Sequence, residues 1–378
     1  MKLPPVRDGT KLLVRGKRVP FTYWPTYPGT TREGLQWTIF ASDPWFLIET
    51  SLANLTPTAQ EQARAFLTQA RDFFRAATDS HISAAKPLLL YYSFLNLAKC
   101  YVVKRQNAPI TAKIQHGLSE KLPTTPGAIH GDVHVQRDKD AVSAFAMFSA
   151  ALGAPLPAIN APNSAAALRS QDFLSQILVG HRLWCRADNN RKERFISLRT
   201  VRYRYNYDDQ MVWVAADVFR DDLTRFGYSQ KDVADAFGTT VPFRNVASDQ
   251  EINGRALIKY EMVNTIGYPN RPSESLAVLS QALKPHLWRS VTMDHPFRKY
   301  YVYIPTAAQI LLHQLQSIYI ATYYFGSITR YKPVSFSSIL ESSIGPFVNE
   351  FFTNQPAQFL YLMASEFVEQ EVTRAAIA

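Results

Sequence analysis

The sequence predicts an α+β fold that is mostly helical, with a small antiparallel β-sheet inserted in the middle. Three observations predict it. Apolar residues recur at helical spacing over 59–105, the pattern switches to strict alternation from Phe195 onward, and helical spacing returns after Pro305. Helices, then antiparallel strands, then helices is the order of an α+β chain rather than of alternating βαβ units. The chain has 378 residues, 47% of them apolar and 19% charged. That is an ordinary globular balance with enough length for more than one domain.

Residues 1–55 are rich in Pro and aromatics (Pro20, Phe21, Tyr23, Trp24) and predict a strap of loops and short strands. Residues 56–180 predict a helical region. Thr58 and Glu61 fit a capping box, in which the hydroxyl and the carboxylate satisfy orphan N–H groups at a helix start. Phe66, Leu67, Ala70, Phe73 and Phe74 then form an apolar stripe, giving a helix over 59–78. A break at 78–81 leads to a second helix over 84–105, with Pro87 tolerated in its first turn. The two predict an antiparallel hairpin. Further helices are expected at 139–152 and 166–179.

Residues 181–304 predict a β-rich basic region. Phe195–Tyr205 and Met211–Val218 read as a hairpin around the turn Asn206–Asp209, with more strands at 255–265 and 298–304. Residues 305–378 predict C-terminal helices at 306–326, 335–341, 344–352 and 357–376, packed on the first helical region.

Composition excludes several function classes. Two cysteines rule out a disulfide scaffold and a Cys-based zinc ribbon. There is no glycine-rich phosphate loop and no GxSxG elbow, which excludes P-loop hydrolysis and the α/β-hydrolase arrangement. His116, His130, Asp132 and His134 lack the spacing of a metal site, so no metal and no cofactor are expected. The apolar stretches 87–103 and 307–328 carry Asn96, Lys99, His313 and several Gln, and read as core helices rather than membrane spans. With prolines and charges directly after Met1, no secretory leader is expected, and the location predicted is cytoplasmic.

Charge is uneven. The formal net charge is +10, yet residues 181–205 alone hold eight Arg and Lys against two acids, while 341–378 is acidic. A basic stretch interleaved with tyrosines suits a polyanion. On this reading Arg191, Lys192, Arg194, Arg199, Arg202 and Arg204 are the candidate nucleic-acid contacts, and RNA or DNA the candidate partner. The competing reading is a strand with its tyrosines in the core and its arginines in water.

Along the second helix Tyr92, Asn96, Lys99 and Cys100 share one stripe. Polar groups on an apolar helix need partners. They either line a pocket for an anionic ligand, with Lys99 as the cation, or tie the hairpin to His116 or Arg330. The candidate ligand-binding set is Asn96, Lys99, His116, Arg330 and Tyr331.

Three segments carry a family resemblance: Pro-Leu-Leu-Leu-Tyr-Tyr-Ser-Phe-Leu-Asn-Leu-Ala-Lys at 87–99, His116-Gly117-Leu118, and Ile328-Thr329-Arg330-Tyr331-Lys332-Pro333. In order and spacing the chain resembles the YaaC-like family of bacterial proteins. The hairpin is similar to HEPN-type helical domains, a class with ribonucleases and inactive binding modules of bacterial conflict systems. The resemblance implies a nucleic-acid-associated binding component of a conflict or antiviral defence module, acting with a partner protein of the same operon. It also implies an alternative, a metal-independent ribonuclease. HEPN ribonucleases place a His four to six residues after an Arg, and Arg75 and His81 have five residues between them. Arg289 and His295 match the same spacing. A third reading is a non-catalytic scaffold or homo-oligomer, with Phe347, Phe351, Phe352, Phe359 and Tyr361 at a helical interface.

Overall fold

The computed structural model describes residues 3–14, 16–24, 38–78, 83–136, 141–154, 166–189, 192–295, 298–307 and 309–374. Among these are twelve α-helices and nineteen short to medium strands, an α+β and mostly helical architecture. The chain forms two compact units. One, the sheet unit, comprises Met1–Ser42, Lys192–Ala307 and Glu369–Ala378; the other, the helical unit, comprises Asp43–Arg191 and Ala308–Val368.

The helical unit is built on the hairpin of Pro57–Thr78 and Lys86–Gln106. It is antiparallel: the Ser93 hydroxyl donates to the Ala70 carbonyl, while at the other end Thr56 N–H donates to the Asn107 side chain. The first helix buries a single stripe of Ala59, Ala63, Leu67, Ala70 and Ala77. The second is buried nearly all round, as expected for a helix apolar on every side. It packs against Gln314–Tyr331, Ala144–Ala151 and Gly345–Val368. Phe94 stacks on Phe359 with ring centroids 3.8 Å apart, and the Tyr101 hydroxyl donates to Glu366 at 3.1 Å. Gly326 lets two helices approach closely, since a Cβ there would stand 3.3 Å from the Tyr91 Cβ. Three short antiparallel strands, Leu118–Lys121, Asp132–Val135 and Ala166–Arg169, complete the unit with a parallel pair, Ile114–Gln115 with Val142–Ser143.

The sheet unit holds a seven-stranded sheet. Its central order is Thr10–Lys11, Thr200–Asn206, Met211–Phe219, Arg255–Met262 and Phe243–Val246, all antiparallel. The expected hairpin turn is present: the Asn206 side-chain oxygen accepts from the N–H groups of Asp208 and Asp209 at 2.8 and 3.0 Å. A three-stranded sheet orders Phe195–Ser197, Lys299–Tyr303 and Val291–Asp294. Aromatics of the strap fill the space beneath, with Tyr23 stacked on Trp288 and Phe21 against Tyr203 and Tyr300.

Several expected elements are corrected. The helix expected over 166–179 is a strand, Ala166–Arg169, followed by the helices Ser170–Leu174 and Leu178–Ala187. Pairing with Asp132–Val135 overrides the helix propensity of Ala166 and Ala167. The helix expected from Lys139 begins at Ala144, where the Ser143 hydroxyl caps it. The helix expected over 306–326 runs from Gln314 to Tyr331. His313 sets its start by accepting from Leu315 N–H, and Gln176 holds Leu312 in the preceding segment. The break expected between 352 and 357 is absent: Gly345–Val368 continues through Pro356. Residues 371–374 are not helical but pair in parallel with Thr38–Ala41.

In the sheet unit His295 is fully buried and donates from Nδ1 to the Val372 carbonyl at 2.9 Å. Burial, which penalises the imidazolium, pushes its pKa down to about 3, with the Arg298 charge adding to the effect against the hydrogen bond to Val372. The folded chain therefore binds fewer protons at this residue than the unfolded chain between about pH 3 and the ordinary histidine value. Its contribution to stability is complete above that value and is lost as pH falls through about 3. Urea unfolding of wild type and His295→Gln across pH 7 to 4 should show a steeper acid loss for wild type; parallel profiles would refute the assignment.

Candidate functional site

The polar groups of the helical unit converge on an open pocket of about 350 Å³. Its walls are Leu95 and Lys99 from the second hairpin helix, the segment Ile114–Leu118, and Gln136. Leu95 and Lys99 lie one turn apart, and Tyr91, one turn earlier, continues their row beneath His116. The pocket stripe is thus 91, 95 and 99. The stripe expected from the sequence, 92, 96, 99 and 100, is rotated from it: Asn96 and Cys100 are buried in the packed helix core. Burial raises the Cys100 thiol pKa far above its ordinary value, so it stays protonated.

His116 is held from two sides. Its carbonyl accepts from Phe145 N–H at the start of the helix Ala144–Ala151. Gly117 permits this approach, with φ of +72° and Ser143 lying where a side chain would be. The ring Nδ1 is 2.6 Å from the Tyr91 hydroxyl. Burial raises the Tyr91 pKa well above the ordinary range, so its proton is available to donate. A neutral His116 that accepts at Nδ1 carries its own proton on Nε2, as a donor.

Positive charge outweighs negative around His116. Burial first, then the charges of Arg330 and Lys99, lower the His116 pKa, against a smaller opposing effect of Glu120. Lys99 is half-buried, its ammonium 5.5 Å from the Phe66 ring centroid, and desolvation lowers its pKa. Neither Lys99 nor Arg330 makes an ion pair with a carboxylate among the described residues. Arg330 instead donates to the hydroxyls of Tyr92, at 3.2 Å, and Tyr331, and its guanidinium lies 4.3 Å from the Tyr331 ring centroid. The nearby acid Glu120 accepts from the Tyr323 hydroxyl.

The structure therefore brings Lys99 and His116 together in the pocket and places the charge of Arg330 within reach of His116; Arg330 and the exposed Tyr331 beside it are not among the pocket walls. Tyr91, Gln115 and Gln136 were missed by sequence reasoning. Tyr91 was legible in principle, as the residue four before Leu95 on the same face.

The other candidates lie elsewhere. Arg75 is exposed in the last turn of Pro57–Thr78, and His81 lies outside the described residues. Arg289 and His295, the second match to that spacing, fall in the sheet unit, and His295 is fully buried. Of the basic stretch, Arg191 also lies outside them. Lys192 lies over the Tyr228 ring at 4.3 Å, Arg194 is half-buried and Arg199 is exposed. Arg202 pairs with the buried Asp217, and Arg204 donates to the Gly9 carbonyl. Among the described residues, no group of three His, Cys, Asp or Glu could hold a metal ion, and no helix is long and apolar enough to cross a membrane.

Because Lys99 helps hold His116 neutral, replacing it with Met should move the His116 titration upward, toward the ordinary histidine value. Proton NMR of the imidazole across pH checks this, and an unmoved titration would exclude the coupling.

No curated protein and no solved structure matches the chain. The family described as YaaC-like Protein matches residues 32–367, most of the chain, so the protein belongs to the YaaC-like family.

Proposed function

We propose that the pocket binds a phosphate group of a single-stranded nucleic acid, and that the protein is a nucleic-acid-associated binding component. The observation that carries this reading is the pair of cations without carboxylate partners, Lys99 and Arg330, both acting on His116, whose pKa is lowered by burial and by their two charges. Half-buried cations that the fold leaves uncompensated favour a ligand that brings the negative charge. Nucleic acid is preferred over a small acid because Tyr331 is 57% exposed beside Arg330, which suits a base stacking next to a held phosphate. With the Tyr91 hydroxyl donating to Nδ1, His116 would carry its proton on Nε2 for a phosphate oxygen.

Fluorescence anisotropy with labelled single-stranded RNA and DNA across a salt series tests the reading. Lys99→Met and Arg330→Gln should each weaken binding and lower the slope of log affinity against log salt by about one, the signature of a lost phosphate contact. Tyr331→Ala should cost about 1–3 kcal/mol with the salt slope unchanged. Affinity and slope that survive both cation substitutions would overturn the proposal.

A further inference from the structure

The seven-stranded sheet of the other unit carries a second concentration of charge, which its register makes explicit. Arg202, Ala215, Glu261 and Arg244 lie side by side across four adjacent strands, and Thr200, Asp217, Lys259 and Val246 form the neighbouring row two residues away. Alternation puts both rows on one face. Tyr203, Val214, Ala216 and Tyr260 point to the other face, and all are buried. The charged face is not a solvated one: Asp217, Lys259 and Glu261 are 2%, 7% and 1% exposed. Residues of the N-terminal strap cross it. Arg7 donates its backbone N–H to Glu261 and its guanidinium to the carbonyls of Met262 and Val263, and that guanidinium lies over the Trp213 ring.

Within this face the bonding is incomplete in both directions. One Asp217 oxygen, Oδ2, accepts from Thr200 and Arg202, while Oδ1 is buried with no partner. Glu261 accepts at Oε2 from Arg7, while Oε1 is buried with no partner. On the donor side, the Nε groups of Arg202, Arg204 and Arg244 are buried without acceptors. Lys259 makes no hydrogen bond or ion pair among the described residues, and its pKa is lowered by burial and by Arg202 and Arg204. Five cations, Arg7, Arg202, Arg204, Arg244 and Lys259, stand against two buried carboxylates and the exposed Asp8, which acts on Arg204. Ala215 puts only a methyl group in the row between Arg202 and Glu261.

We propose that this face is a second binding site, for the hydrogen phosphate ion. The surplus of cations around the buried Lys259, with the four arginines half-buried, calls for an oxyanion, and the orphan carboxylate oxygens call for a donor on the same ligand. Hydrogen phosphate supplies both, because it keeps at least one P–OH throughout the neutral range. That proton can be given to Asp217 Oδ1 or Glu261 Oε1 while the remaining oxygens accept from Lys259 and the arginines. A phosphate monoester loses its last proton near pH 6 and then offers no donor. Sulfate has none, so the orphan carboxylates repel it.

The test is thermal unfolding of the full chain near neutral pH, with sodium phosphate or sodium sulfate titrated at constant ionic strength. It is run on wild type and in a Lys99→Met background, which disables the pocket of the helical unit. In both backgrounds phosphate should raise the midpoint saturably, and sulfate should need about tenfold more for the same shift, or give none. Asp217→Asn or Glu261→Gln should reduce the preference, and the double variant should erase it, because an amide can donate to sulfate. Lys259→Met or the less buried Arg244→Gln should weaken the phosphate response. Equal shifts from the two anions in wild type, or a phosphate response no larger than that of chloride, would overturn the proposal without reference to any variant. A response that vanishes with Lys99→Met alone would overturn it too, by assigning the phosphate to the other pocket.

Discussion

The helix Lys86–Gln106 keeps almost no surface of its own for water, and the helical unit is organised around that constraint. Burial of Leu90, Phe94, Leu97, Tyr101 and Val102 on different faces requires partners on several sides at once, which the helices Pro57–Thr78, Gln314–Tyr331 and Gly345–Val368 supply. Close packing then leaves little freedom: Gly326 sits where any side chain would press on Tyr91. A polar side chain on such a helix either finds an internal partner or sits where the packing ends. Tyr91 meets the first condition through His116, and Lys99 the second, at the edge where the segment Ile114–Leu118 leaves a pocket. The pocket is therefore the boundary of the core rather than an addition to it.

How legible this was in the sequence depended on how local each cause is. The hairpin helices and the turn Asn206–Asp209 are set by neighbours within four residues, and both are present close to where the pattern put them. The strand Ala166–Arg169 depends on a partner more than thirty residues away, which no local pattern shows. The start at Gln314 depends on His313 acting as a cap, an unusual choice, and on Gln176 from another segment. Separate helices were expected over 344–352 and 357–376, yet one helix continues through Pro356. Lys99 and His116 in the pocket, and Arg330 whose charge acts on His116, were legible as polar residues in apolar or punctuated surroundings. Tyr91 was hidden because an aromatic on a core helix normally needs no further explanation. Asp217, Lys259 and Glu261 were hidden for the opposite reason: charged residues at alternate strand positions ordinarily mean a face in water.

The same distinction changes what the basic composition means. Within the sheet unit, the described basic residues of 192–205 do not share one environment. Arg202 is turned to Asp217 and Arg204 to Gly9, while Lys192, over the Tyr228 ring, and Arg199 are exposed. A flexible polymer bearing a phosphate every few ångströms needs accessible cations along a track. The guanidinium groups of Arg202 and Arg204 are instead engaged by their own sheet unit, through Asp217 and the Gly9 carbonyl.

Burial also sorts the two sites by the size of anion each can serve. In the helical unit the cations are half-exposed and stand beside an exposed tyrosine, so a phosphate can be reached while the rest of a long ligand remains in solvent. On the sheet face, Lys259 and both carboxylates are withdrawn from solvent and the strap passes over them. A ligand there must shed its own hydration and have every oxygen satisfied by the protein, which favours a small ion over a chain. The orphan carboxylate oxygens narrow the choice further, since a buried acceptor without a donor costs about 1–3 kcal/mol and the ligand that relieves it must carry a proton. Selectivity on that face thus follows from what the fold leaves unpaired, not from the number of positive charges it assembles.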